Sequence, residues 1–178
     1  MANDGTGLRV SLEWDHDHYR HHIDWVTGDL AVRLIESVEK DQNDLAPNWP
    51  VLQQLSIESR GQDSQVALAL GMSDQSHWSM SIETAPELRT VIFDIACRLT
   101  EPVDNLSSCY QLVAPVGQME EKRCVLNVVG HQCQLEIDSS ARSETLQMQL
   151  DNNRLLLIPQ APADDFPVTL RWRYRVIG

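Results

Sequence analysis

The chain is bounded first by what it lacks. It contains no run of about 18 apolar residues, so no transmembrane helix is expected. Its first residues, Met-Ala-Asn-Asp-Gly-Thr-Gly, carry neither a basic stretch nor an apolar one, so no signal peptide is expected either. Basic residues are scarce: 14 Lys and Arg stand against 26 Asp and Glu, a formal net charge of −12. Nucleic-acid binding needs cations to neutralise phosphates, and binding to anionic membranes needs them too, so this balance speaks strongly against both. It leaves cationic ligands, metal ions and basic partners open. There is no CxxC motif. Cys97, Cys109, Cys124 and Cys133 fall at or near apolar positions of expected strands, which predicts buried, reduced thiols in a cytoplasmic protein. A Gly-rich phosphate loop, an internal repeat, a low-complexity tract and the helix–strand alternation of a parallel α/β sheet are all missing.

What is present is period-2 patterning. In Val91–Leu99, the residues Val91, Phe93, Ile95, Cys97 and Leu99 alternate with Asp94, Ala96 and Arg98, as in a half-buried strand. A helix is the competing reading, because Thr84-Ala85-Pro86-Glu87 has the form of a capping box. The β-branched and aromatic content favours the strand, with Thr84–Glu87 as a hairpin turn. Similar alternation predicts strands at Leu8–Trp14 and Tyr19–Val26, with the Leu30–Glu39 stretch leaning to strand. Lys40–Pro50 reads as a loop. Leu55 and Ile57 read as inward, followed on the next strand by Val66, Leu68, Leu70 and Met72 opposite small Ala67, Ala69 and Gly71. Further strands are expected at Trp78–Ile82 and Tyr110–Ala114, then in a hairpin turning at Gly130-His131 and in another turning at Asp151–Asn153. Val168–Ile177 closes the series. About twelve short strands, with turn signals every eight to twelve residues, predict an all-β fold with few or no helices. The architecture would be an antiparallel β-sandwich or a flattened barrel. A length of 178 residues suits a single β domain over 1–178, with 1–6 mobile.

Two stretches, Ser76-His77-Trp78-Ser79-Met80-Ser81-Ile82-Glu83 and Phe93-Asp94-Ile95-Ala96-Cys97-Arg98, resemble segments of uncharacterised proteins from planctomycete-type bacteria. That resemblance covers these motifs alone and implies a bacterial origin. The group has no assigned activity, so it implies no catalytic residue.

Asp15–His22, Asp-His-Asp-His-Tyr-Arg-His-His, is the strongest local anomaly. In an extended segment His16 and His18 project to one face, as chelating pairs do, and His22, His77 or His131 could add a third ligand for zinc, iron or manganese. A metal at His16, His18 and His22 is the one cofactor the sequence suggests. The competing reading is an exposed polar connection between strands. His77 has the chemistry of a general base, but no nucleophile is marked beside it. Gly71–Gln75 has only half of a nucleophile elbow.

Asp94 and Arg98 are about 13 Å apart on one strand, too far to pair. Arg171, Arg173 and Arg175 are natural partners for Asp94 in a cross-strand ladder, or a surface for an acidic partner or a second copy of the chain. Trp14, Trp25, Trp49, Trp78 and Trp172 read as core, with a sugar platform as the rival and Trp49 the residue to watch. Together these features suggest a non-catalytic binding or protein-interaction module, possible as a homo-oligomer. A metal-dependent enzyme built on His16 and His18, and a β-barrel for a small apolar or sugar ligand, are the alternatives.

Overall fold

The computed structural model describes residues 5–38, 49–60, 64–73, 76–104, 106–128, 130–138, 146–160 and 166–178. Alternation of apolar and polar side chains carries nearly every element, because a strand presents successive side chains to opposite faces. The strands are β1 (Thr6–Asp15), β2 (His18–Thr27), β3 (Leu30–Ser37), β4 (Gln54–Arg60), β5 (Ser64–Ser73), β6 (Ser76–Ala85) and β7 (Thr90–Leu99), then β8 (Ser108–Leu112), β9 (Val116–Glu120), β10 (Arg123–Val128), β11 (His131–Ile137), β12 (Leu146–Asp151), β13 (Arg154–Pro159) and β14 (Val168–Ile177). A 3-10 turn, Pro86–Leu88, joins β6 to β7 and ends at Arg89 in a left-handed conformation. The strand reading of Val91–Leu99 therefore holds over the helical one. Among the described residues no helix is long and apolar enough to cross a membrane.

The strands form two antiparallel sheets. The smaller has the order β1-β2-β3-β8-β13-β12, and the larger has β4-β5-β6-β7-β14-β11-β10-β9. β7 sits inside the larger sheet, in ten-residue register with both β6 and β14. Its Val91, Phe93, Ile95, Cys97 and Leu99 are all buried. They join Trp78, Met80 and Ile82 of β6 and Leu170, Trp172, Tyr174 and Val176 of β14 in one contiguous core with the smaller sheet. This is an all-β sandwich. β9 is the strand that the proline and glycine around it hid from pattern reading: Pro115 precedes it and Gly117 lies within it. The Lys40–Pro50 loop falls largely outside the described residues.

One inward assignment is reversed. On β5 the small residues Ala67 and Ala69 are buried, while Leu68, Leu70 and Met72 point outward at 38%, 52% and 59% exposure. The backbone at Val51 and Leu52 explains this. Both residues are buried, and the segment runs directly beneath β5, with the Gln53 N–H donating to the Leu70 carbonyl at 2.7 Å. A Cβ on Gly71 would lie only 1.8 Å from the Val51 carbonyl oxygen. At Gly71 no space remains for a side chain, and Leu68, Leu70 and Met72 take the opposite face; Val66, in their phase, is buried at 3% exposure. Leu55 and Ile57 of β4 stand opposite Ala69 and Ala67 and share their inner face; Leu55 packs against the core, whereas Ile57, on the edge strand, is 60% exposed.

Candidate functional site

The histidine-rich stretch forms the β1–β2 hairpin, with Asp15 paired to His18 and a two-residue turn of His16 and Asp17 between them. His16 takes φ = 55°, a left-handed conformation, which breaks the alternation that would have set it beside His18. It is exposed, and its Nδ1 lies 2.6 Å from Asp15 Oδ1. His18 is buried. Its Nδ1 lies 2.8 Å from Asp17 Oδ1 and its ring rests 4.7 Å from that of Trp49. His22 is four residues further along β2, about 13 Å in an extended strand. It stands 3.6 Å from Asp24 and 3.8 Å from Glu13. The three nominated ligands are thus not gathered, and among the described residues no three His, Cys, Asp or Glu side chains converge as a metal site requires. Nor is the stretch an exposed connection, since His18, His21 and His22 are all buried.

The carboxylates around this hairpin are held ionised. Asp15 lies below the usual carboxylate range through its hydrogen bonds with Arg20 and His16. His18 does the same for Asp17. Burial works to raise Asp24, but the guanidinium groups of Arg9 (2.9 Å) and Arg33 (2.7 Å) outweigh it and hold that carboxyl low.

His21 occupies the inward phase of β2 and was not singled out by sequence. Its Nε2 lies 2.8 Å from the Tyr110 hydroxyl of β8, which is hydrogen-bonded in turn to the Tyr174 hydroxyl of β14. Phe93 stacks on Tyr174 at 5.0 Å and an interplanar angle of 6°. The Trp172 indole N–H donates to Ser108 Oγ at 3.0 Å. These contacts tie the two sheets together through their centre. Burial, then the neighbouring His22, pushes the His21 pKa down to about 4. Burial drives the Tyr110 and Tyr174 hydroxyls well above the usual phenol range. The cavity beside this relay, between His18, Trp49, Met80 and Ile95, measures about 20 Å³. That is room for about one water. The relay is neutral and enclosed, and it works as a cross-brace. The residues that form it are polar-tipped side chains in the apolar phase of their strands, which is the signal that could have revealed them.

Other nominated residues lie on the outer face of the larger sheet. Arg171 pairs with Asp94 at 3.0 Å, Arg173 with Asp138 at 3.2 Å and Arg175 with Glu136 at 3.0 Å, so the arginine stripe forms a cross-strand ladder with three different carboxylates. His77 is exposed between Met72 and Arg98, and neither cross-strand neighbour offers a nucleophile. Met72 and Ser73 end β5 inside a β-hairpin, which is the wrong context for a nucleophile elbow, and Asp74 and Gln75 lie outside the described residues. His131 is exposed beside the Trp25 ring. Trp25, Trp78 and Trp172 are core, Trp49 is half-buried on His18, and Trp14 is 54% exposed but packs edge-on against Tyr19. The tryptophans therefore do not form a sugar platform. All four cysteines are buried free thiols.

Among the described residues a trough crosses β4, β5, β6, β7 and β14 on the same outer face. Two connected hollows of about 620 Å³ and about 470 Å³ share Gln54, Leu70, Ser79 and Ala96. Small residues, Ser79 and Ser81 of β6 and Ala96 of β7, form the floor. One wall carries the outward Leu68, Leu70 and Met72; the other carries the Asp94–Arg171 pair. Side chains at 68, 70 and 72 repeat about every 6.7 Å, the spacing of alternate side chains in an extended chain. The fold and this face define the chain as a β-sandwich with an apolar, troughed sheet surface. Comparison with profiles of known protein families and with curated protein sequences finds no match to it.

Proposed function

We propose that this protein is a non-catalytic interaction module of the bacterial cytoplasm, and that the trough on its larger sheet receives an extended polypeptide segment of a partner protein. The observation that carries the reading is the reversal of β5. Three large aliphatic side chains face solvent over a floor of Ser79, Ser81 and Ala96, although the strand's buried face is occupied by Ala67, Ala69 and Gly71. Removing three half-exposed aliphatic side chains from water contributes about 1 kcal/mol each, enough to anchor a short segment. The concave form favours an extended chain over a second copy of the same concave face. Among the described residues the trough lacks an exposed aromatic ring on which a sugar could stack. Four free buried thiols support a reducing compartment, and the charge of −12 supports a protein partner over a nucleic acid or an anionic membrane.

The test is a random peptide library selected on the intact protein, with the recovered peptides measured against the wild type and Leu70→Asp. Peptides with apolar residues at alternate positions, bound about tenfold more weakly by Leu70→Asp, are the expected result. Failure to recover binders, or equal binding by both proteins, would overturn the reading.

A further inference from the structure

The trough is polar in charge along its length. At one end His77, Arg98 and Thr169 lie side by side across β6, β7 and β14, with Arg98 in register with both others. All three are exposed and line the hollow of about 470 Å³. On this same face Arg171, Arg173 and Arg175 are each satisfied by a carboxylate within 3.0–3.2 Å. No carboxylate among the described residues pairs with Arg98. At the other end the trough is lined by Glu58 and Glu83, with Arg60 beside them. His77 and Glu83 are six residues apart on β6, about 20 Å in an extended strand. A chain with a net charge of −12 has an abundance of acidic groups with which to neutralise an arginine. With no carboxylate among the described residues paired to it, Arg98 beside a hollow, an imidazole and a hydroxyl makes an anion receptor at one end of an apolar groove.

Resting on the reading of the trough as a peptide groove, we propose that Arg98, with His77 and Thr169 beside it, receives a carboxylate of the bound segment, either an acidic side chain or the segment's own C-terminus. The carboxylate fixes the direction in which the segment lies. A planar guanidinium presents paired N–H donors that match a carboxylate's two oxygens, the Thr169 hydroxyl adds a donor, and His77 adds a ring N–H. Leading away from that anchor, alternate residues of the segment fall on Met72, Leu70 and Leu68 in turn. At the far end Glu58 and Glu83 outnumber Arg60, so the reversed orientation would set the segment's carboxylate in a site of net negative charge.

The test uses the library-selected peptides, resynthesised with a free or an amidated C-terminus and with each Asp or Glu replaced by Asn or Gln. Each is titrated against the wild type, Arg98→Gln and Leu70→Asp. Neutralising one carboxylate should weaken binding to the wild type about tenfold and leave binding to Arg98→Gln unchanged, the non-additivity expected of a direct pair. Loss on amidation alone identifies the C-terminal carboxylate; loss on an internal substitution alone identifies a side chain. Unchanged affinity for Arg98→Gln, or the same loss from carboxylate removal in both proteins, overturns the inference and leaves the groove standing if Leu70→Asp still weakens binding. Indifference to Leu70→Asp, or a library that yields no binder, removes the groove reading and this inference with it.

Discussion

Acidification to about pH 4.5 should destabilise the protein through one residue, His21. Its ring is enclosed between Tyr110 and Phe93, and burial holds its pKa near 4, against 6.5 for an ordinary histidine. A histidine depressed in the folded state stays neutral there while the unfolded chain takes up a proton. Stability is therefore full above pH 6.5, falls between 6.5 and about 4, and falls no further from this group below 4. Between about pH 7.5 and about pH 4.5 that difference integrates to about 2.5 kcal/mol. Urea unfolding followed by tryptophan fluorescence reads it as a midpoint about 1 M lower at the acidic pH. His21→Phe keeps a ring of similar size, leaves the Tyr110–Tyr174 hydrogen bond in place and removes the titration. Its unfolding midpoint should depend on pH more weakly than that of the wild type by about this amount. The depressed carboxylates Asp15, Asp17 and Asp24 lose their contribution only toward their unfolded value of 3.8 and below, largely outside the window, and they titrate in both proteins. The same loss in His21→Phe as in the wild type would mean that His21 is not the group responsible.

Three further predictions concern the frame and its outer face. Gly71→Ala places a methyl group against the Val51 carbonyl and should cost about 3 kcal/mol or more, measured as a lowered urea midpoint; a change under about 0.5 kcal/mol would mean that the segment beneath β5 moves freely. Leu70→Asp, at an exposed site, should leave the same midpoint within about 0.5 kcal/mol, and a large drop would make that side chain part of the fold. Burial pushes the Cys97 thiol up to about 12 and those of Cys124 and Cys133 to about 11. Native protein near pH 8 should therefore react with a disulfide reagent far more slowly than urea-unfolded protein, and rapid titration of the native thiols would contradict the packing.

Much of the fold was legible because one face of each strand is buried and period 2 announces it. β7 and β14 could be read directly from Val91–Leu99 and Val168–Ile177. Alternation fixes which residues share a face, but not which face meets the core. On β5 that choice was made by Val51 and Leu52, nearly twenty residues away from Gly71, which occupy the space that Leu70 would have filled. The histidine run was conspicuous by composition, yet its geometry turned on the left-handed backbone of His16, which no local pattern marks in a residue other than glycine. The His21–Tyr110–Tyr174 brace joins residues 89 and 64 positions apart, and only topology brings such partners together. Arg98 was visible as a charge on a polar face. That no carboxylate among the described residues pairs with it followed from the register, which sets His77 and Thr169 on either side of it.

The binding face can be located by methyl-resolved NMR of the intact protein during titration with a library-selected peptide. The methyl signals of Leu68, Leu70 and Met72 should shift together, while those of the also exposed Leu30, Leu88 and Leu150 stay in place. Shifts confined to Leu30, Leu88 or Leu150, with the β5 methyl groups unmoved, would contradict the trough as the binding face.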